Sequence, residues 1–162
     1  MEKKVRIMTS VYLKRKDEIL FLYRIGSSTV PNSYVASAGG HMESEEINDP
    51  HHCVLRELFE ETGLTEEDII DLKLRYITLR NIKQEIRQIY YYFAELKNSN
   101  ITINSNEGIL EWVNIKDALS LDMPLTAKQV IEHYITEGKN TDILYGSFIK
   151  AGELRFIPFL ES

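Results

Sequence analysis

The chain has 162 residues, 43% hydrophobic and 27% charged, the profile of a single domain with room for a core. A formal net charge of −6 argues against a nucleic-acid polymer as partner, since gripping a phosphate backbone draws on clustered lysine and arginine. One cysteine, Cys53, rules out an internal disulfide; no apolar run approaches the roughly 18 residues of a membrane span; and the basic start MEKKVRIMTS lacks the apolar stretch of a secretory signal. A cytoplasmic protein with no membrane contact is the expectation.

In chain order, Val5 to Leu13 is β-rich and Ile19 to Tyr23 is a short apolar run, with Lys14 to Glu18 between them as a hairpin turn. Residues 26–33 read as a loop, and Tyr34 to Ala38 as a strand running into a tight Gly39-Gly40 turn. A helix is expected from Pro50 to Thr62, with Asp49 as N-cap, Pro50 at its first position and Gly63 closing it. Thr65 to Asp68 has the pattern of a capped turn. Leu72 to Leu79 and Gln88 to Leu96 read as strands joined by a polar loop from Arg80 to Arg87. Tyr90 to Phe93 has no polar alternation, so that strand is expected to be covered on both faces. Gly108 to Ile115 is a further strand, Ile115 to Leu121 a short helix, and Thr126 to Glu137 an amphipathic helix with a threonine N-cap. Two β-rich runs, Asp142 to Ile149 and Leu154 to Phe159, form a hairpin around Lys150 to Glu153. Strands interleaved with a few helices mean a mixed α/β domain.

The most informative stretch is Gly40 to Leu64, GHMESEEINDPHHCVLRELFEETGL. Glu57, Glu60 and Glu61 stand at i, i+3 and i+4 and share one helix face, with Leu55, Leu58, Phe59 and Thr62 placed opposite as the apolar face. Like charges at this spacing cost about 0.2–0.5 kcal/mol per pair, and the helix dipole disfavours anions in the last turn. No lysine follows to relieve them. A bound cation is the simplest compensation, and an all-oxygen donor set suits a hard ion such as Mg²⁺ or Mn²⁺. A solvated acidic face is the bland alternative for an isolated ExxEE.

The surroundings overturn it. The stretch resembles the signature of the Nudix hydrolases, among them the small MutT-like nucleotide pyrophosphohydrolases: G-x5-E-x7-R-E-U-x-E-E-x-G-U, with U aliphatic. Gly40, Glu46, Arg56, Glu57, Leu58, Glu60, Glu61, Gly63 and Leu64 take those positions. One departure stands out: nine residues, not seven, separate Glu46 from Arg56, the extra pair falling around Asn48-Asp49-Pro50 before the helix. Either Glu46 still reaches Arg56 or a metal, or its loop is rerouted; the unaltered spacing from Gly40 to Glu46 favours the first.

The resemblance implies the Nudix α/β/α sandwich, a mixed sheet between helices with the signature as loop-helix-loop. One domain over residues 1–162 is expected, with a C-terminal hairpin at 141–160 as an addition. The resemblance further implies that Glu57, Glu60 and Glu61 ligate metal, the Gly39 carbonyl completing the set, with Glu57 or Glu61 doubling as base. Arg56 orients a glutamate of the signature, and Glu107, rather than Glu111, comes in from a flexible loop. Arg24, Arg80, Lys83 and Arg87 are candidates to meet substrate phosphates, each read alone as an ordinary surface charge. Cys53 is read as packing. No two histidines stand four apart on the helix, so zinc is not expected.

The activity implied is Mg²⁺-dependent hydrolysis of a nucleoside diphosphate linked to another moiety, Mn²⁺ substituting. A housecleaning (d)NTP pyrophosphohydrolase, 8-oxo-dGTP included, comes first, and an ADP-ribose or nucleotide-sugar diphosphohydrolase second. A non-catalytic nucleotide sensor would be expected to have lost signature glutamates, and an isoprenyl diphosphate isomerase would need a cysteine elsewhere. The partner is a small nucleotide; oligomeric state is left open, a homodimer being compatible.

Overall fold

The computed structural model describes residues 2–28 and 31–162. Its centre is a long strand, β1 (Lys4–Arg15), with residues of alternating face. Val11 and Leu13 enter one core with Val54 and Leu58 of α1 (Pro50–Thr62). Tyr12 enters the other core, with Val130, Ile131 and Tyr134 of α2 (Leu125–Thr136). The sheet is thus sandwiched between the two helices, as the mixed α/β reading requires.

The remaining strands are β2 (Glu18–Arg24), β3 (Ser33–Ala36), β4 (Ala38–His41), β5 (Ile69–Ile82), β6 (Glu85–Leu96), β7 (Ile109–Asn114), β8 (Leu144–Lys150) and β9 (Glu153–Phe159). Among the described residues they make one mixed sheet of order β3-β2-β1-β6-β5-β8-β9, with β4 also on β1 and β7 also on β2. β1–β6 and β5–β8 are parallel and the other pairs antiparallel.

The sheet forks. β1 pairs with β2 only at Lys14↔Ile19 and Arg15↔Glu18, then gives the same edge to β4 at Met8↔His41 through Val11↔Ala38. A cleft opens at that fork.

Helix α1 has the predicted limits and caps. Asp49 Oδ1 accepts from the His52 amide at 3.0 Å, and Gly63 takes the left-handed conformation, φ 77°, with its amide on the Phe59 carbonyl. Its buried side is not the predicted one. Cys53, Val54 and Leu58 are buried, whereas Phe59 is 58% exposed. The inward face is therefore turned so that Glu57 and Glu61, flanking Val54 and Leu58 on the helical wheel, lie at its margin rather than in open solvent.

Four other expectations are corrected. Gly39 and Gly40 are not a turn but the middle of β4, paired with Ser10 and Thr9. Arg80 to Arg87 is not a loop: β5 and β6 run on to a turn at Lys83-Gln84, with Lys83 at φ 51°, so both arginines lie on the sheet. The hydrophobic signal faded there because these strand ends carry arginine on the surface of the cleft, with polar residues around the turn. The segment after β7 forms a single 3-10 turn at Ala118–Ser120. Helix α2 starts one residue early, with Pro124 as its N-cap; Thr126 lies inside the helix, buried, its hydroxyl accepting from Arg80. The last hairpin forms as expected and joins the same sheet through β5 at Tyr76↔Tyr145 to Thr78↔Ser147. No helix among the described residues is long and apolar enough to cross a membrane.

Candidate active site

The fork between β2 and β4 is the mouth of a cleft of about 730 Å³. Glu57 and Glu61 form one wall with Gly39, Gly40 and Arg56, and Glu107 and Arg24 stand beside them. The opposite wall carries Arg80 and Arg87. Apolar side chains of Met8, Val35, Ile89 and Tyr91 lie between.

The carboxylate wall is built by close approach. α1 packs on β4, and a Cβ at Gly40 would lie 2.7 Å from Oε2 of Glu57; a Cβ at Gly39 would press on the Thr9 carbonyl of β1. Both positions therefore need glycine for contact reasons, not for a turn. The Gly39 amide faces Oε2 of Glu61 at 3.4 Å.

Arg56 is the hub. Its Nε and Nη2 donate to the two oxygens of Glu46 at 2.6 and 3.0 Å, a bidentate fork. Nη1 donates to Glu57 at 3.0 Å and to Glu60 at 3.1 Å, and Nη2 also reaches the His41 carbonyl at 3.1 Å. Glu46 is 1% exposed and further held by the Glu43 amide and by Nδ1 of His52, both at 3.0 Å. The Arg56 guanidinium draws its carboxyl down to about 2. The lengthened loop has not rerouted Glu46. It sits at the end of a 3-10 turn, Ser44–Glu46, and the Asp49 amide returns to its carbonyl at 2.7 Å, while Ile47 and Asn48 bulge out exposed.

The two inward carboxylates are electrostatically short of cations. Burial raises Glu57, against the pull of Arg56. Burial, then the Glu57 charge and, more weakly, Glu107, push Glu61 up to about 7; the Gly39 amide and Arg24 only partly offset this. Glu107 is placed by the end of α1. The Asn106 amide donates to the Glu61 carbonyl at 3.2 Å and its side chain to the Glu60 carbonyl at 3.0 Å, and Glu107 then lies 4.0 Å from Arg24. Glu60 is different: its side chain is 54% exposed and tied to Arg56.

Among the described residues, no three His, Cys, Asp or Glu side chains stand together as a ready metal cage. The reason is visible in Arg56, which holds Glu60 off and shares Glu57. The donor chemistry still fits a hard divalent ion: Glu57 and Glu61 offer carboxylate oxygens, with both carboxyls raised, and Gly39 is on the same wall.

Of the residues singled out in the sequence, Arg24, Gly39, Gly40, Arg56, Glu57, Glu61, Arg80, Arg87 and Glu107 line this cleft. Glu46, Glu60 and Gly63 support it from α1 and the loop before it, and Lys83 sits away in the β5–β6 turn. Glu111 accepts from Tyr34 at 2.8 Å and is not part of the lining. Thr78, Thr126 and Tyr12 also line the cleft, and Tyr12 keeps its hydroxyl without a partner among the described residues. No sequence signal marks these three for the site: Thr78 and Tyr12 read as ordinary strand positions and Thr126 as a helix cap. Cys53 is buried against the Thr9 hydroxyl at 3.3 Å, and burial pushes its thiol up to about 11.

The fold and site define an enzyme-like cleft in a forked α/β sheet, with a glutamate-bearing helix beside a glycine strand. A family model described as the NUDIX domain matches residues 4–134. Solved structures share the fold. The MutT protein of Bacillus halodurans superposes with a TM-score of 0.65 at 21% identity, over 93% of this chain and 97% of its own. The MutT protein of Methanosarcina mazei Go1 gives 0.65 at 22% identity, over 86% and 99%. An Ap4A hydrolase of C. elegans gives 0.63 at 18% identity, over 81% and 94%. The chain belongs to the Nudix family, as a Nudix hydrolase acting on pyrophosphate bonds. This family generally uses a divalent metal ion. The C-terminal hairpin, β8 and β9, lies beyond the matched residues.

Proposed function

We propose that this chain is a single-domain, Mg²⁺-dependent diphosphohydrolase of small nucleotides, hydrolysing the diphosphate of a nucleoside diphosphate linked to another moiety, with Mn²⁺ able to substitute. The observation that carries this reading is the wall formed by Glu57 and Glu61 against Gly39 and Gly40, with both carboxyls raised by burial and that of Glu61 raised further by the Glu57 charge. A divalent ion held there would supply charge neutralisation for the phosphates and activation of water. Glu57 and Glu61 would hold that ion with the Gly39 carbonyl, and Glu60 would join on leaving Arg56. Arg56 keeps Glu57 aligned through its fork on Glu46. Glu61, poised near neutrality, is the group suited to accept the proton of the attacking water, and Glu107 beside it is the second candidate. Arg24, Arg80 and Arg87 meet the anionic parts of the substrate.

The first substrates to test are (d)NTPs, 8-oxo-dGTP included. ADP-ribose and nucleotide sugars are a second reading, favoured by one observation: strand register sets the arginine row three residues of β1 from the Thr9↔Gly40 pair beside Glu57. Incubating dGTP, 8-oxo-dGTP, ADP-ribose and UDP-glucose with protein and Mg²⁺, and measuring pyrophosphate and phosphate separately, tests the reading. Metal-dependent cleavage of at least one is expected. No cleavage of any, or cleavage that survives exhaustive chelation, overturns it.

A further inference from the structure

We propose that the arginine wall of the cleft is a subsite for a second oxyanion, carried by the substrate's organic moiety at a distance from the scissile diphosphate. This rests on the diphosphohydrolase reading for the position of the scissile bond, and it narrows the substrate class to diphosphates with a further phosphate or carboxylate.

Strand register places three arginines in one row. Arg6 of β1 lies beside Arg87 of β6, and Arg87 is paired with Arg80 of β5. All three point to the α2 face, since Tyr76 of β5, Tyr12 of β1 and Tyr91 of β6, each an even number of residues away, lie in the core against α2. Like charges directly opposite on neighbouring strands destabilise a sheet. The compensation among the described residues is one carboxylate: Glu85 takes Arg87 Nε at 3.0 Å and Arg6 Nη1 at 3.6 Å. Arg80 has no ion-pair partner among the described residues. Its Nη1 donates to the Thr126 hydroxyl at 2.8 Å, and its Nε, buried, has no hydrogen-bond partner there. Thr126 is in the first turn of α2, whose N-terminus no side chain caps, and it too lines the cleft.

Arg80 and Arg87 line the cleft while Arg6, at the end of the row, turns to His41; the one carboxylate is shared by Arg87 and Arg6, and an orphaned buried N–H on Arg80 and an uncapped helix start leave this wall short of negative charge. A neutral base edge would satisfy the N–H but leave the charge. An oxyanion satisfies both, and the guanidinium fork matches it bidentately. The span sets the ligand's length. From the Thr9↔Gly40 pair beside Glu57 to the Arg6 row is three residues of β1, roughly 10 Å at about 3.3 Å per residue. That is the reach of a nucleoside or sugar unit, longer than the step to an adjacent phosphate.

Matched pairs test this: NADPH against NADH for a phosphate, and UDP-glucuronate against UDP-glucose for a carboxylate. Affinities are measured by calorimetry with a chelator present, so that binding is read without turnover, on wild type, Arg80→Gln, Arg87→Gln and the charge-keeping Arg80→Lys. Thermal melts check folding of each variant. In at least one pair the anion-bearing member should bind about tenfold tighter or more to wild type, and the pair that responds identifies phosphate or carboxylate. Each glutamine variant should bring that ratio close to one, and Arg80→Lys should keep part of it. Equal affinities in both pairs overturn the proposal. So does a ratio unchanged by either glutamine variant, with both members weakened alike, since the arginines would then be holding the shared diphosphate. Turnover of the same four compounds with Mg²⁺ is scored separately. A binding preference with no turnover of these four or of dGTP, 8-oxo-dGTP and ADP-ribose sinks the catalytic reading and keeps the subsite, and turnover without a preference does the reverse.

Discussion

Replacing Glu46 by Gln removes one negative charge from a site 1% exposed, where that carboxylate takes both arms of the Arg56 fork, the Glu43 amide and His52. Its carboxyl is held at about 2 against an ordinary value of 4.5. That difference, at about 1.4 kcal/mol for each tenfold, is about 3 kcal/mol of folding stability at neutral pH. The value falls in the range for breaking one side of a buried pair. Because the carboxyl is depressed in the folded state, the contribution is fully present above pH 4.5 and is lost as pH falls through about 2. At pH 3 roughly half should remain. Urea unfolding of metal-free wild type and Glu46→Gln, followed by fluorescence of the sole tryptophan, Trp112, at pH 7 and pH 3, reads this directly. A difference below about 0.5 kcal/mol at pH 7, typical of a surface change, would refute the reasoning. So would a difference that does not shrink at pH 3.

Gly40→Ala places a methyl against the Glu57 carboxylate, the mobile end of a side chain, so stability should change by no more than about 1 kcal/mol while kcat falls on the order of 10²-fold; unchanged kcat would show that Glu57 need not sit there. Glu61→Gln should lower kcat by 10²-fold or more, the scale of a lost general base, with the melting temperature of the metal-free protein held or raised; near-normal turnover with Mg²⁺ would remove Glu61 from the mechanism. Since a ligand must be deprotonated to bind and Glu61 titrates near 7, Mn²⁺ affinity should weaken as pH falls from 8 to 6, and a Kd that is flat over that range, measured by titration calorimetry, counts against Glu61 as ligand. Cys53, buried with its thiol pushed up to about 11, should resist iodoacetamide at pH 8 until the protein is unfolded, and rapid labelling of the native chain would contradict its packing role.

Much of the frame was legible because it is written in local chemistry. Asp49, Pro50 and Gly63 fixed the limits of α1 through caps, and the alternating or continuous apolar runs fixed β1, β2, β6 and β7. What failed has one cause. At the cleft, residues answer to neighbours distant in sequence. Phe59 reads as core by periodicity, yet the helix is rolled so that Glu57 and Glu61 come to β4 instead. Gly39-Gly40 reads as a turn, yet Gly40 serves the approach of α1 to β4 and Gly39 that of β4 to β1. Arg80 and Arg87 read as loop because charged strand ends carry no apolar period, and only the register of β5 on β6 shows them side by side. The pairing of Glu46 with Arg56 was the expected outcome of the lengthened spacing, and the exposed bulge at Ile47-Asn48 shows how the chain absorbs it.

The fork at β1 makes that strand a ruler. One stretch of backbone, residues 6–9, fixes where the glycine strand meets the carboxylates and where the arginine row begins. Lengthening it by one residue would turn every following side chain to the opposite face, exchanging the two cores. Lengthening it by two would restore the faces but open the gap by about 7 Å. The distance between the two ends of the cleft is therefore not continuously adjustable on this scaffold. Variation in substrate length has to come from the side chains at the far row, where an arginine shortened or lost moves the boundary by a few ångströms without disturbing the strand that measures it.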